Sequence, residues 1–430
     1  MNMQRQRRQV RRSTPPVHLE VLEGRCLLAT YTVTDLGTLG GASSYAFGLN
    51  DVGQVVGVAK LANLQEHAFV WDNGVMTDLD PNGMVFGGRA SSANSINEAG
   101  QIVGSGFTPW HAVLWQDGKM INLNIFGGQH SAAGSINNSG QVVGGAYTPD
   151  SVHAFLWQDG VTTDLGTLPG GSSSGAAAIN ESGQVVGTAG TANRASHAFF
   201  WQQELGMIDL GTLPGDVDSQ ASGINNLGHV AGWSGDINYA QFQAFFYDGT
   251  TMIAVGPSGS VASGINDSDQ VVGTMPVALH IYHAFIYTDG VVTDLNSLIP
   301  PDSGLTLEVA TAINNAGQIV GYTSTLGVDP HPHAFLLTPD KGAAPGGIDL
   351  ALFRLAVPAS GAVTIADITN REPANALPEH MPVEIGAPLL VNTTLRQAVD
   401  AAFATHHRPP TGEGLAWLIT MDSDGALLVP

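Results

Sequence analysis

The sequence predicts an all-β fold, a seven-bladed β-propeller closed by an N-terminal strand that completes the last blade. Three observations predict it. A unit of about 44 residues recurs seven times, and each unit holds short strand-like segments. The fourth of these segments is absent from the last unit, and a copy of it precedes the first unit. Units of about 40–50 residues with four strands each are typical of propeller blades.

The repeated unit is marked by an Asn that precedes the pattern GQVVG or a variant of it. The seven marking residues are Asn50, Asn97, Asn137, Asn180, Asn225, Asn266 and Asn314. Each Asn-x-x-Gly predicts a tight turn, because Asn bonds its own backbone and Gly takes positive φ easily. In the sixth unit Asp269 replaces the Gly.

Four strands are expected in each unit. The first leads into the Asn, the second is QVVG, the third is HAFxW and the fourth ends in TDL. The third segments begin at His67, His111, His153, His197, Gln243, His283 and His333. All are rich in Val, Ile, Phe and Trp and are bounded by turn residues, which is the pattern of short strands.

The two ends of the repeat predict a closed ring. The seventh unit ends at HAFLLTPD, His333–Asp340, with no TDL segment of its own. The segment YTVTDLGTLGG, Tyr31–Gly41, is a fourth strand that precedes the first unit. Pairing the two ends leaves no open strand edge between the first and last blades, so we expect this strand to complete blade seven.

Composition excludes some functions. The formal net charge is −22, and residues 30–340 hold four basic residues against 26 acidic ones, so nucleic acid is not an expected partner. Cys26 is the only cysteine, which leaves no internal disulfide. No apolar run approaches the ~20 residues of a transmembrane segment. No motif indicates a cofactor or a metal site, and none identifies catalytic residues.

Four regions are expected along the chain. Residues 1–29, with six Arg and two Glu, form a basic export-type or simply disordered segment, and residues 30–340 form the propeller. Residues 341–347, KGAAPGG, indicate a linker. Residues 348–430 are expected to form a small α+β domain, because strand-like runs flank a segment with helical spacing at Leu395, Val399 and Phe403.

Two resemblances suggest where the protein acts. The HAFxW and DLGTLGG elements of residues 30–340 resemble the HAF repeat family of extracellular repeats, which implies a secreted protein but no shared activity. The segment LEGRCLLA, Leu22–Ala29, resembles the LEPR-xLL export motif of planctomycete-like bacteria, with Gly24 where that motif has Pro. Together they imply an extracellular or cell-surface location.

Loop lengths indicate the candidate binding face. The step from each Asn to the turn residue is three in every unit, whereas six residues separate QIVG from HAV in the second unit and eleven separate QIVG from HAF in the seventh. Alternate connections of antiparallel strands lie at opposite ends, so the variable loops share one face, where function is commonly carried. Aromatic binding candidates in the loops between second and third strands are Trp110, Tyr147, Trp233, Tyr239, Tyr282 and Tyr322.

The recurring His and the Asp of TDL are interpreted as structural. Copies spread around a ring cannot converge on one site, so we expect each His to pair within its blade and each Asp to bond a turn or a neighbouring strand. Three functions stay open. They are a non-catalytic module that binds carbohydrate or protein at the cell envelope, an extracellular polysaccharide-active hydrolase or lyase with a site at the propeller centre, and a purely structural surface protein.

Overall fold

The computed structural model describes residues 31–81, 90–107, 110–127, 130–236, 241–323, 331–340, 420–421 and 427–428. Residues 31–340 form seven four-stranded antiparallel sheets, as expected for a seven-bladed propeller. In the described ranges no helix is long and apolar enough to cross a membrane. The short turns Ile125–Gly127 and Leu295–Leu298 are 3-10 helices in links between blades.

The first three blades follow strand β1 (Tyr31–Asp35). Blade 1 holds β2 (Gly40–Leu49), β3 (Val55–Leu61), β4 (Glu66–Asp72) and β5 (Val75–Asp78). Blade 2 holds β6 (Ser91–Ile96), β7 (Ile102–Phe107), β8 (Trp110–Gln116) and β9 (Lys119–Asn122). Blade 3 holds β10 (Ser131–Ile136), β11 (Val142–Tyr147), β12 (Val152–Gln158) and β13 (Val161–Asp164).

The next three blades repeat this order. Blade 4 holds β14 (Ser174–Ile179), β15 (Val185–Gly190), β16 (Ser196–Gln202) and β17 (Gly206–Gly211). Blade 5 holds β18 (Asp218–Ile224), β19 (Val230–Asp236), β20 (Gln241–Tyr247) and β21 (Met252–Val255). Blade 6 holds β22 (Val261–Ile265), β23 (Val271–Ala278), β24 (Ile281–Thr288) and β25 (Val291–Asp294).

Blade 7 confirms the predicted closure. It holds β26 (Leu307–Ile313), β27 (Ile319–Thr323) and β28 (Ala334–Pro339), and its fourth strand is β1. The pairing is antiparallel and runs from Tyr31 opposite Pro339 to Asp35 opposite Phe335. The N-terminal strand therefore joins the last blade, as the distribution of the TDL segments predicts.

Residues outside the propeller are described only in part. β29 (Thr420–Met421) and β30 (Leu427–Leu428) form a two-stranded antiparallel sheet in a separate unit. The predicted export-type segment, the 341–347 linker and the rest of the predicted α+β domain lie outside the described residues.

The hydrophobic core is divided among the seven contacts between neighbouring blades. At the closing contact, Val320 and Leu336 of blade 7 pack with Ala46 and Phe69 of blade 1. The Phe of the HAF segment is fully buried in six blades, at Phe69, Phe155, Phe199, Phe245, Phe285 and Phe335. Burying such a ring contributes about 1.5–3 kcal/mol, so this repeated residue adds substantially to the core of each of these six blades.

Each Gly of the recurring GQVVG pattern has its own structural role. In the third copy, Gly140 closes the turn with a φ of 74°. Val142 and Val143 are fully buried, one on each side of the sheet. A Cβ at Gly144 would overlap the backbone carbonyl of Ala132 on the neighbouring strand. The pattern therefore combines a turn, two core residues and a close backbone approach.

Two closed rings of hydrogen bonds join the blades at the centre. In each blade the Nδ2 of the marking Asn donates to the carbonyl of the equivalent Asn in the next blade, over 2.9–3.2 Å, and Asn314 returns to Asn50. The residue after each Asn adds a second ring, because its backbone N–H donates to the side-chain oxygen of the equivalent residue in the next blade.

Candidate binding face

The fixed turns lie together on one face of the disc, here called the fixed-turn face. It is formed by the Asn-x-x-Gly turns and by the turns between third and fourth strands. Gln101, in one kind of turn, donates to Gln116 at the end of a third strand over 2.9 Å. Gln54 makes the same connection to Asp72 over 3.2 Å. The two kinds of turn therefore share a face, as the sequence predicts.

The opposite face, here called the variable-loop face, holds the loops between second and third strands and the links between blades. The backbone N–H of Tyr147, at the end of a second strand, donates to the carbonyl of His130 in a link, over 2.9 Å. Gly190 and Ser173 make the equivalent bond over 2.9 Å. These bonds bring the two sets of unequal loops together.

The first and last residues of the described propeller lie on the fixed-turn face. Tyr31 lies opposite Pro339, and the Thr32 hydroxyl donates to Asp340 over 2.8 Å. Both ends of residues 31–340 therefore lie at the end of blade 7 that carries the fixed turns.

The candidate aromatic residues that the structure describes are not in the loops, where we expected them, but in strands that extend further than their motifs. Tyr147 ends β11, Trp233 lies in β19, Tyr282 in β24 and Tyr322 in β27. Antiparallel pairing continues past the motif in these blades; β23 and β24, for example, pair out to Ala278 and Ile281. Trp110 begins β8, but its side chain lies outside the described part, as does all of Tyr239.

Among the described aromatic side chains, the exposed ones are Tyr147 (53%) and Tyr282 (38%), and both lie on the variable-loop face. The ring of Tyr147 meets that of His130 edge to face, with centroids 5.5 Å apart. Burial, and then His130, lower the pKa of His111 nearby. This part of the face therefore combines a phenol with imidazoles.

Blade 6 carries an apolar hairpin tip on the same face. Leu279 is 84% exposed at the turn, and Val277 and Ile281 beside it are also exposed. Tyr282 follows on β24. Contiguous apolar surface of this kind is more typical of a contact site than scattered single residues are.

Trp233 and Tyr322 occupy equivalent positions, directly after the last Gly of their QVVG-type segments. The ring of Trp233 packs against Phe242, with centroids 5.9 Å apart. The ring of Tyr322 meets that of Tyr45, on β2, edge to face at 5.1 Å and 74°. Sequence reasoning missed Tyr45, because it lies on an innermost strand rather than near a variable loop.

The Tyr45–Tyr322 pair lies at the contact between blades 7 and 1. Burial raises the pKa of Tyr322, and the neighbouring Glu308 adds to the effect. Burial also raises the pKa of Tyr45. The Ser43 hydroxyl acts to lower that pKa, and the Glu66 carboxylate raises it further. Each tyrosine therefore has a carboxylate close enough to influence it.

In five blades the recurrent His pairs within its blade, as predicted. The Nδ1 atom lies 2.6–2.9 Å from the Asp of TDL in His67–Asp78, His153–Asp164, His197–Asp209, His283–Asp294 and His333–Asp35. These Asp residues also accept the backbone N–H two residues on. Both predicted roles of the Asp, in a turn and between strands, are therefore confirmed.

The central opening has a volume of about 500 Å³ and is lined by the seven innermost strands. Asp51, Glu98, Glu181 and Asp267 lie at its fixed-turn end and accept backbone N–H groups of the preceding blade. An active site at the centre would bring titratable side chains within ~3 Å of one another. These carboxylates bond to amides instead. No metal-ligand group of three or more His, Cys, Asp or Glu occurs in the described ranges.

Comparison with known proteins gives distant structural matches only. No family model matches the chain, and no curated protein sequence matches it. Solved structures do match, at low similarity. They include TolB from Acinetobacter baumannii (12% identity, TM-score 0.41, 55% of this chain and 61% of that chain). A Mycobacterium tuberculosis puromycin-hydrolyzing peptidase has 12% identity and a TM-score of 0.44 over 70% of this chain and 53% of that chain. The BP39L lectin from Burkholderia pseudomallei has 10% identity and a TM-score of 0.37 over 72% and 95%. The match thus spans about three fifths of TolB and about half of the peptidase.

Proposed function

We propose that this protein is an exported, non-catalytic binding module that recognises carbohydrate or protein through its variable-loop face. The β-propeller fold fits a binding or interaction module. The observation that carries the proposal is the position of Tyr147 and Tyr282, whose exposed rings both lie on the face with unequal loops. Tyrosine buries a large area on binding at low entropic cost.

The geometry of the disc supports the same face. The propeller is held together by core contacts at every blade interface and by two closed hydrogen-bond rings, so loops on its surface have a rigid support. The fixed-turn face repeats one turn type in every blade, which offers less variety for specific recognition.

An extracellular or cell-surface location belongs to the proposal. The resemblance of residues 30–340 to HAF repeats and of Leu22–Ala29 to an export motif supports it. A single cysteine, Cys26, and the acidic body are compatible with that environment. Envelope polysaccharides and envelope proteins are therefore the first ligands to test.

A binding screen with the full chain tests the proposal. The purified protein is applied to a glycan array and to envelope fractions, beside a Tyr147→Ser, Tyr282→Ser variant. The matched control is Val161→Ser, Leu205→Ser. It changes two residues on the fixed-turn face that are more exposed (67% and 65%) than the two tyrosines. We expect saturable binding that the first variant loses and the control keeps. Binding lost only in the control, or no binding at all, would contradict the proposed function.

A further inference from the structure

We infer that His229 and Asp269 form a latch that holds blade 5 against blade 6, in place of a contact that other blades make with Gln and Gly. Both residues depart from the GQVVG pattern, His229 in the fifth copy and Asp269 in the turn of the sixth. The latch belongs to the fixed turns, so the inference does not depend on the function proposed for the variable-loop face.

The ordinary arrangement is seen in the six blades that keep the Gln. There the Nδ2 of the marking Asn donates to the Oε1 of the Gln four residues on, within the same blade, over 2.7–2.9 Å. The Gln side chain also lies beside the turn Gly of the next blade. A Cβ at Gly53, Gly183 or Gly228 would be 3.3 Å from it. The Gln therefore occupies the space next to a turn residue that has no side chain.

The first step of the argument is a change of acceptor in blade 5. His229 stands at the Gln position, and its ring has no carbonyl oxygen to offer Asn225. The Nδ2 of Asn225 donates instead to the Oδ1 of Asp269, in blade 6, over 2.8 Å. A hydrogen bond that stays inside the blade elsewhere therefore crosses to the next blade here.

The second step is that the same carboxylate oxygen holds the imidazole. The Nδ1 of His229 lies 2.7 Å from the Oδ1 of Asp269. The imidazole ring also meets Phe246 edge to face, with centroids 5.6 Å apart, which limits its rotation. One oxygen of blade 6 thus contacts two side chains of blade 5, and a carboxylate is a stronger acceptor than the amide oxygen of Gln.

The third step is the backbone of the turn. Asp269 has a φ of 57°, a conformation that Gly adopts without strain and that most other residues avoid. The turn itself is unchanged, because the N–H of Asp269 donates to the Asn266 carbonyl over 3.1 Å, as that of Gly228 does to Asn225. The turn gains nothing from a side chain at this position, so the contacts with blade 5 are the reason for it.

The latch adds to the two hydrogen-bond rings at the same contact. Asn225 also donates to the Asn266 carbonyl over 3.0 Å, and both the backbone and the side chain of Asn226 donate to Asp267 over 2.8 and 2.9 Å. Moving blade 5 away from blade 6 breaks all of these bonds together. We therefore expect the two blades to stay joined when the ring opens locally.

A double-mutant cycle in the full chain tests the latch, with unfolding equilibrium constants taken from urea titrations. Asp269→Gly restores the common turn residue and removes the acceptor of Asn225 and His229. His229→Gln restores the common Gln, and the double variant rebuilds the contact of the other blades. The control cycle combines Asp269→Gly with His197→Gln, a change to a histidine that pairs with Asp209 in blade 4.

Asp269→Gly should raise the unfolding constant about tenfold, because two donors lose their acceptor. Adding His229→Gln should lower it again by about threefold, because the Gln supplies an acceptor for Asn225, although His229→Gln alone should raise it. His197→Gln should have the same effect with and without Asp269→Gly. Equal effects of His229→Gln in the two backgrounds, or a more stable protein after Asp269→Gly, would overturn the inference.

Moving the pair to another contact guards against single variants that fail to fold. Gln184→His should destabilise the protein, because Asn180 loses its acceptor and the facing turn residue, Gly228, supplies none. Adding Gly228→Asp should recover stability, because the new carboxylate can accept from both side chains. A double variant no more stable than Gln184→His would contradict the latch. Neither outcome bears on the envelope screen, whose tyrosine variants lie on the opposite face.

Discussion

Replacing one marking Asn by Ala should destabilise the whole propeller. Asn180 is 4% exposed, and its Nδ2 donates to the Asn225 carbonyl at 2.9 Å and to Gln184 at 2.7 Å. Its Oδ1 accepts the backbone N–H groups of Ser182 and Gln184 at 3.1 and 3.0 Å. Asn180→Ala leaves two backbone donors without acceptors, at about 1–3 kcal/mol each. Since the turn is only partly buried, we expect a loss of about 2–4 kcal/mol in the free energy of unfolding.

The same change at the seam tests whether the ring is closed. Asn314 donates to the Asn50 carbonyl across the seam at 2.9 Å, so Asn314→Ala should cost as much as Asn180→Ala in urea unfolding. The control is Asn138→Ala, at an exposed position of the second ring, which should cost less than about 1 kcal/mol. A loss at Asn314 no larger than that of the control, beside a full loss at Asn180, would refute the reasoning.

Three further changes probe separate parts of the fold. Burial raises the pKa of Tyr31 to about 12, so the neutral phenol stabilises the fold fully below pH 10, and this stabilisation falls by up to about 3 kcal/mol as the pH rises to 12. The Tyr31→Phe variant should therefore lose less stability than the wild type between pH 9 and pH 12, as measured by urea midpoints. Equal losses in the two proteins would contradict this. Gly144→Ala should unfold the protein or lower its melting temperature sharply, because the new methyl overlaps the Ala132 carbonyl; near wild-type melting would show that the strands can separate. His197→Gln should cost less than about 1 kcal/mol in urea, because the His197–Asp209 pair is partly exposed, and a larger loss would mean that the pair is more than a local contact.

The repeat made the blades predictable. Strand boundaries at the fixed turns followed from the turn residues, and the closure followed from the position of one TDL segment. The pairing of His with the Asp of TDL was also predictable, because copies spread around a ring can act only within their own blades. In blade 5 Gln243 takes the place of His and donates to the Gly256 carbonyl at 2.6 Å, which agrees with a structural role.

The binding face was only partly predictable. The sequence gives loop lengths, so it indicated which face varies. It does not show how far strand pairing continues past a motif, and Tyr322 and Trp233 were therefore assigned to loops. The contact of Tyr45 with Tyr322 joins residues far apart in sequence across the seam, and no local pattern predicts it. The second hydrogen-bond ring had a signal in the sequence, since Asp, Glu or Asn follows the marking Asn in all seven units.

Hydrogen exchange at the seam tests the central claim most directly, because the variable-loop face is continuous only if β1 closes the ring. Exchange is followed in the full chain by mass spectrometry, and β1 (Tyr31–Asp35) is compared with β13 (Val161–Asp164), the fourth strand of an internal blade. A closed propeller predicts similar protection in both strands, because both open only with the whole fold. Exchange of β1 at the rate of an unstructured peptide, with β13 protected, would contradict the account.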